Sequence, residues 1–219
     1  MSEADGRGAL QALLAQARVI PVITIDRLAD AVPLARALVD GGIHTIEITL
    51  RTGVALAAAE AIMAEVPEAI VGLGTVLDAA DLARAEAIGA RFALSPGATP
   101  ELLDAAAASP LPFVPGIATA SELMAALSRG FDVFKFFPAR EAGGIAALRA
   151  LAGPFPQARF CPTGGIHAGN AAEWLAEPNV VAVGGSWLCP RAEIAAGNWA
   201  AIEQLARAAA TLQAGAQSR

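Results

Sequence analysis

The sequence predicts an α/β fold, a closed (β/α)8 TIM barrel with an additional N-terminal helix. Three observations point there. Short apolar, β-branched runs alternate with Ala- and Leu-rich stretches of helical period. Eight such strand–helix units follow one another, a count and regularity that favour a closed barrel over a doubly wound open sheet. No linker, low-complexity tract or charge block interrupts the 219 residues. Residues 1–219 therefore read as one barrel domain, with the barrel itself over about residues 19–212, near the compact end of the ~200 to 400 residues such barrels occupy.

A helix over Ala9–Ala17 precedes the first strand, Val19–Ile25. A helix over Arg27–Asp40 is closed by Gly41 and Gly42, whose freedom at positive φ suits a helix C-terminus. The second strand is His44–Leu50, backed by a helix over Val54–Val66. The third is Ile70–Val76; Asp78 is placed to cap the helix that ends near Gly89. Phe92–Ser95 precedes a helix over Pro100–Ala108, and Pro112–Pro115 precedes one over Ser121–Arg129 that Gly130 closes. The sixth strand, Val133–Phe137, leads to a helix over Gly144–Leu151, and the seventh, Arg159–Pro162, to one over Asn170–Ala176. The eighth is Val180–Val183; a last helix covers Trp199–Leu212, and the tail after Gln213 reads as frayed.

Composition excludes several classes of function. Hydrophobic residues make up 55% and charged residues 16%, so the apolar surface is ample to offset ordering entropy and bulk disorder is ruled out. A net charge of −6 makes a phosphate backbone a poor partner, so no nucleic acid is expected. Small anions stay open, because backbone N–H groups hold them locally. Mean hydropathy is +0.52, yet no apolar run reaches the ~18 residues that cross a bilayer, so no membrane association is expected. Met1–Gly8 is polar and lacks the basic-then-apolar order of a secretion signal. Two cysteines (Cys161, Cys189) and two histidines (His44, His167) match no zinc spacing. A reducing cytoplasm is the expected compartment.

Polar residues gather where the strands end. Along the second strand, alternation puts Thr45, Glu47, Thr49 and Arg51 on one face and Ile46, Ile48 and Leu50 on the other. A face packed under helices must be apolar, so Glu47 and Arg51 should point into the barrel or its mouth. A carboxylate there is costly unless paired. A Glu47–Arg51 ion pair that merely closes the barrel is one reading.

Of 15 basic residues, 14 are arginine; the single lysine, Lys135, lies in the aromatic strand Val133-Phe134-Lys135-Phe136-Phe137. A buried ammonium either finds a partner or gives up its proton, and a neutral amine is a nucleophile toward carbonyl carbon. A structural lysine paired with Glu47, or snorkelling to the rim, is the competing account. Two glycine pairs, Gly164-Gly165 and Gly184-Gly185 (followed by Ser186), end the seventh and eighth strands. Barrels of this kind often hold a phosphate in those loops, so a phosphorylated ligand is indicated. Thr75 and Ser95 also end strands; ordinary turn chemistry is the plain account of both and is adopted for Ser95. His44 and His167 read as loop residues, Cys161 as a small strand residue, and Trp174, Trp187 and Trp199 as packing residues or an oligomer surface.

Seven segments together resemble the 2-keto-3-deoxy-6-phosphogluconate (KDPG) aldolases, also called 4-hydroxy-2-oxoglutarate (KHG) aldolases. They are Ile46-Glu47-Ile48-Thr49-Leu50-Arg51-Thr52, Val71-Gly72-Leu73-Gly74-Thr75-Val76, Ser95-Pro96-Gly97, Pro115-Gly116-Ile117-Ala118-Thr119, Phe134-Lys135-Phe136-Phe137-Pro138-Ala139, Phe160-Cys161-Pro162-Thr163-Gly164-Gly165-Ile166 and Gly184-Gly185-Ser186-Trp187-Leu188. The likeness runs from about Val19 to Asn198. Leu73 departs from the smaller residue often found there, without removing a chemical group.

The resemblance implies a class I aldolase, usually a homotrimer, that uses no metal and no cofactor. Carried over, Lys135 forms the Schiff base and Glu47 is the general acid/base, taking the C4 hydroxyl proton directly or through a water. Since a permanent ion pair would lock the lysine, a mobile water between Lys135 and Glu47 is expected. Arg51 and Thr75 bind the carboxylate end of the keto acid, Thr163 orients its hydroxyl or carbonyl, and Phe137 and Pro96 wall the pocket. Gly164, Gly165, Gly185 and Ser186 take the phosphate. The implied partners are a phosphorylated 2-keto acid and pyruvate. The galactonate-derived epimer is an alternative substrate. A sugar-phosphate isomerase or epimerase on the same barrel, or a phosphosugar-binding domain, would keep the phosphate site but need no neutral lysine.

Overall fold

The computed structural model describes residues 3–214, with side chains from 10 to 212; the tail at 215–219 lies outside the described residues. The chain runs α1 (Glu3–Ala17), β1 (Val19–Ile23), a 3₁₀ turn (Leu28–Asp30), α2 (Ala31–Asp40), β2 (Thr45–Thr49), α3 (Ala55–Glu65), β3 (Ile70–Gly74), α4 (Ala79–Ala87), β4 (Phe92–Leu94) and α5 (Pro100–Ala108). It continues β5 (Phe113–Val114), β6 (Gly116–Ile117), α6 (Ala120–Leu127), β7 (Val133–Phe136), α7 (Gly144–Ala152), β8 (Arg159–Pro162), α8 (Ala171–Leu175), β9 (Val183–Gly185), α9 (Arg191–Ala195) and α10 (Trp199–Ala214). The architecture is α/β with parallel strand pairing throughout.

One sheet has the order β5-β4-β3-β2-β1-β9 and the other β6-β7-β8. The expected fifth strand, Pro112–Pro115, is instead two short pieces on either side of Pro115. Proline has no N–H to give a ladder, but its carbonyl still accepts from Lys135 N at 2.9 Å. The Ser95 hydroxyl accepts from Gly116 N at 3.1 Å, so the chain after Pro115 is tied to the end of β4. The expected eighth strand, Val180–Val183, shifts to Val183–Gly185. Its first residues are shared between two neighbours: Val181 N donates to Phe160 O at 3.0 Å, whereas Val183 N donates to Arg18 O at 2.7 Å. Isolated parallel bridges, Phe160 to Val180 and Thr163 to Gly184, link β8 to this stretch.

Local chemistry explains the helix boundaries. The helix expected from Arg27 begins as a 3₁₀ turn, where the Arg27 guanidinium clasps Asp30 through two bonds of 2.9 Å. Asp78 caps α4 as expected, accepting from Asp81 N at 2.8 Å. Thr119 and Glu122 cap α6 reciprocally. The five-residue α9 was not expected; one turn and a half is too short to show a helical period.

The apolar interior falls into two clusters. In the larger, Ile46, Ile48, Val71, Leu73, Phe134 and Phe136 meet helix residues such as Leu34, Leu38, Ile62 and Leu102. This is the outward face that the alternation of β2 anticipates. The smaller joins Ile20, Phe92, Leu94, Val114, Val133 and Cys161 to Leu10 and Leu14 of α1. These strand residues occupy the alternate, inward positions, and α1 supplies the apolar surface beneath them. Phe92 fits because Gly72 has no side chain; a Cβ there would fall 2.3 Å from its ring. Among the described residues no helix is long and apolar enough to cross a membrane.

Candidate active site

Above that apolar floor the inward positions turn polar. Lys135, two residues past Val133 on β7, is almost fully buried and donates from Nζ to Glu47 Oε1 on β2 at 2.8 Å. The two side chains are 4% and 1% exposed. Amine and carboxylate thus touch directly, which corrects the expected water between them. The expected alternative pairing also fails: Glu47 pairs with Lys135, and Arg51 does not contact it. Instead Arg51 Nε donates to Thr75 Oγ1 at 3.2 Å.

The backbone makes room for this pair. A Cβ on Gly74 would lie 1.9 Å from Glu47 Oε1, so only glycine lets the carboxylate rest against β3. The next residue, Thr75, has φ +61°. A β-branched residue is strained in that region, and such strain collects at functional sites. Here it accompanies the hydroxyl that meets Arg51. The Lys135 ammonium also lies 5.7 Å from the centroid of the Phe137 ring.

Next to Phe137, whose ring centroid lies 5.7 Å from Lys135 Nζ, opens a cavity of about 350 Å³. Arg51, Phe137, Thr163, Gly164, Gly165, Gly185 and Ser186 line it, all of them indicated by the sequence. Lys135, Glu47, Thr75 and Pro96 do not. Lys135 and Glu47 are buried, with Lys135 next to the lining residue Phe137; Thr75 bonds to the lining residue Arg51, and the Pro96 backbone packs against Gly116. Gly165 has φ +72°, and a Cβ there would strike the Arg140 side chain at 2.5 Å, so this turn requires glycine.

Sequence reasoning missed Val22, Thr24, Ile166, Cys189, Pro190 and Arg191, which also line the cavity. Alternation along β1 carries the signal for Val22 and Thr24, which share a face with the inward Ile20. Thr24 is fixed by Thr49, 3.0 Å away, whose hydroxyl donates to Ile23 O at 2.8 Å. Nothing in the pattern flags Arg191, since it begins the unexpected α9. Ser95 bonds only within the fold, His44 and His167 are exposed loop residues, and Trp174 is buried as packing. Burial pushes the Cys161 thiol up to about 12 and raises Cys189 too, so neither is a thiolate nucleophile at neutral pH.

Similarity to known proteins agrees with this geometry. Residues 10–205 match the family model for KDPG and KHG aldolase. The chain is 50% identical over 200 residues to 2-dehydro-3-deoxy-phosphogluconate aldolase of Pseudomonas aeruginosa, covering 91% of each chain. It is 51% identical over 199 residues to KHG/KDPG aldolase of Escherichia coli, covering 91% of this chain and 93% of that one. Its fold superposes on a crystal structure of KDPG aldolase from Legionella pneumophila, with pyruvate captured as a covalent carbinolamine intermediate, at a TM-score of 0.88. The identity there is 50%, over 90% of this chain and 96% of the other. At this identity and coverage the chain belongs to the KDPG and KHG aldolase family.

Proposed function

We propose that this chain is a class I aldolase that cleaves 2-keto-3-deoxy-6-phosphogluconate to pyruvate and glyceraldehyde 3-phosphate. 4-Hydroxy-2-oxoglutarate, cleaved to pyruvate and glyoxylate, is the second substrate. The observation that carries this reading is the buried Lys135–Glu47 contact of 2.8 Å set against Phe137, which lines the cavity; a purely structural lysine would show the pairing but need no cavity beside it. An epimerase needs a base but no amine beside it. The covalent pyruvate adduct of the Legionella pneumophila relative supports the same chemistry.

In this mechanism the pair supplies both the nucleophile and its proton acceptor. Proton transfer from Lys135 to Glu47 frees the amine to attack C2 of the keto acid. The resulting carbinolamine loses water, with Glu47 returning a proton to the departing oxygen, and an iminium forms. Glu47, again a carboxylate, takes the C4 hydroxyl proton. The C3–C4 bond breaks, its electrons pass to the iminium, and glyceraldehyde 3-phosphate leaves a pyruvate enamine. Protonation at C3 and hydrolysis release pyruvate and regenerate the amine. Arg51 and Thr75 hold the substrate carboxylate, Thr163 orients its oxygen atoms, and Phe137 and Pro96 close the apolar side. Gly164, Gly165, Gly185 and Ser186 receive the phosphate through backbone N–H groups and a hydroxyl.

The two sheets form one closed (β/α)8 barrel in a single domain, with α1 as the additional helix. The continuity of the chain through Pro115 and the bridges from β8 to residues 180 and 184 support this. The assembly is a homotrimer, the usual state of the family; the exposed apolar side chains Leu77 and Met124, each 58% exposed, suit coverage by a subunit. The buried free thiols Cys161 and Cys189 suit a reducing cytoplasm.

Borohydride added with pyruvate tests the chemistry. The expected result is irreversible inactivation and a mass adduct on Lys135. An unmodified, fully active protein would return the assignment to the isomerase or epimerase reading.

A further inference from the structure

The cavity wall carries a second guanidinium to which no function has been given. Arg191 is the first residue of α9 and lines the cavity on the side of Gly185 and Ser186. Arg51 lines it from the end of β2. The two strands lie on either side of β1, in the order β2-β1-β9. Two guanidiniums therefore face the same space from either side of β1. None of the described lining residues is acidic, although the chain as a whole carries a net charge of −6. Arg51 is engaged by Thr75. Arg191 has no ion pair and no side-chain hydrogen bond among the described residues.

We infer that Arg191 is a specificity-determining residue that binds the terminal phosphate of the substrate and biases the enzyme toward phosphorylated 2-keto acids. This rests on the aldolase reading and deepens it. Such a substrate is an anion at both ends, a carboxylate at C1 and a phosphate at C6. A wall with one cation near each end complements it, whereas the glycine loops by themselves offer N–H groups but no net charge. Guanidinium binds phosphate through paired N–H donors, which a backbone loop cannot replace in charge. 4-Hydroxy-2-oxoglutarate is also charged at both ends, but its second group is a singly charged carboxylate at C5, three bonds short of the position of the phosphorus, so it should gain much less from Arg191.

The test compares the two substrates in wild type, Arg191→Ala and Arg191→Lys, with pyruvate release as the readout. Arg191→Ala should raise KM for the phosphorylated substrate about 10-fold, the loss of roughly one charge-assisted contact, with kcat nearly unchanged. Its kcat/KM for 4-hydroxy-2-oxoglutarate, whose C5 carboxylate is shorter and singly charged, should fall by no more than about twofold. Arg191→Lys should recover part of the affinity. Added salt should weaken phosphorylated-substrate binding more in wild type than in Arg191→Ala. Arg36→Ala on the outer surface of α2 removes the same formal charge and should leave both substrates unaffected. Equal losses on both substrates, or no loss on either, would overturn the inference. A wild-type protein that releases pyruvate from neither substrate would instead overturn the aldolase reading beneath it.

Discussion

The two ends of the strands face opposite demands, and β7 and β8 show the change within a few residues. At the N-terminal ends, Val133 and Cys161 sit in a dry cluster with Ile20, Phe92 and Leu14. Two residues further along the same inward face are Lys135 and Thr163, and after them comes the open cavity. Apart from Thr45, buried at the start of the inward face of β2, the lower layer is apolar, so it contributes stability chiefly by burial. The upper layer buries an ammonium and a carboxylate, which burial alone disfavours and direct contact offsets. Fold and chemistry are thus separated along the strand axis, and a substitution should report which layer it touches.

The largest effect should come from Lys135→Arg. The cation is kept, but guanidinium cannot form an imine, so pyruvate release should fall to background. A thermal melt checks that the larger group has not simply unfolded the protein, and Lys135→Met, similar in length but costing stability because it leaves Glu47 unpaired, should be equally inactive at a temperature where it stays folded. Substantial turnover in both would remove Lys135 as the nucleophile. Glu47→Gln comes next. It should slow turnover by ~10²–10⁴-fold while borohydride trapping of pyruvate remains detectable. An unchanged rate would move the proton transfers to another group.

Much of the upper layer was legible because β2 alternates. Ile46 and Ile48 had to meet helices, which left Glu47 on the inner face. The one lysine of the chain stood in an aromatic strand where a solvated lysine has no place. What stayed illegible depends on register across strands rather than on pattern within one. Sequence leaves open that Glu47 meets Lys135, 88 positions away, and not Arg51, only four away. Gly74 looks like any turn glycine until the Glu47 carboxylate is found against it. The split at Pro115 reflects one missing N–H. Arg191 escaped notice because its position depends on a helix too short to have a period.

In the lower layer, Phe92→Ala should cost about 3–5 kcal/mol of stability, the usual price of an empty aromatic site. The ring fills space that Gly72, which has no side chain, leaves open. Urea unfolding should show the loss, while kcat at a temperature where the variant stays folded should be close to that of wild type. A large fall in kcat without a fall in stability would contradict the separation of the layers.

The smallest effect, and the finest test of the boundary, belongs to Cys161. It pairs in register with Lys135 yet packs in the lower cluster. Its thiol is pushed from an ordinary value of 9.0 up to about 12, chiefly by burial. The nearby ammonium of Lys135 opposes the rise and the carboxylate of Glu47 adds to it. Below 9.0 the folded and unfolded chains both keep the proton, so the thiol adds no pH dependence. Between 9.0 and about 12 the unfolded chain releases it and the folded chain does not, so stability must fall as pH rises. The contribution is up to about 1.4 kcal/mol per pH unit. Cys161→Ala should therefore flatten the alkaline loss of stability relative to wild type. Part of the slope should persist, because burial also raises the Cys189 thiol. At neutral pH, kcat should stay within about twofold and stability should drop by ~1 kcal/mol, a common size for a single core truncation. Unfolding curves across the alkaline range measure the slope. An unchanged slope would mean that water reaches the thiol, and a collapse of kcat would place Cys161 in the reacting layer, against the division that β8 otherwise shows.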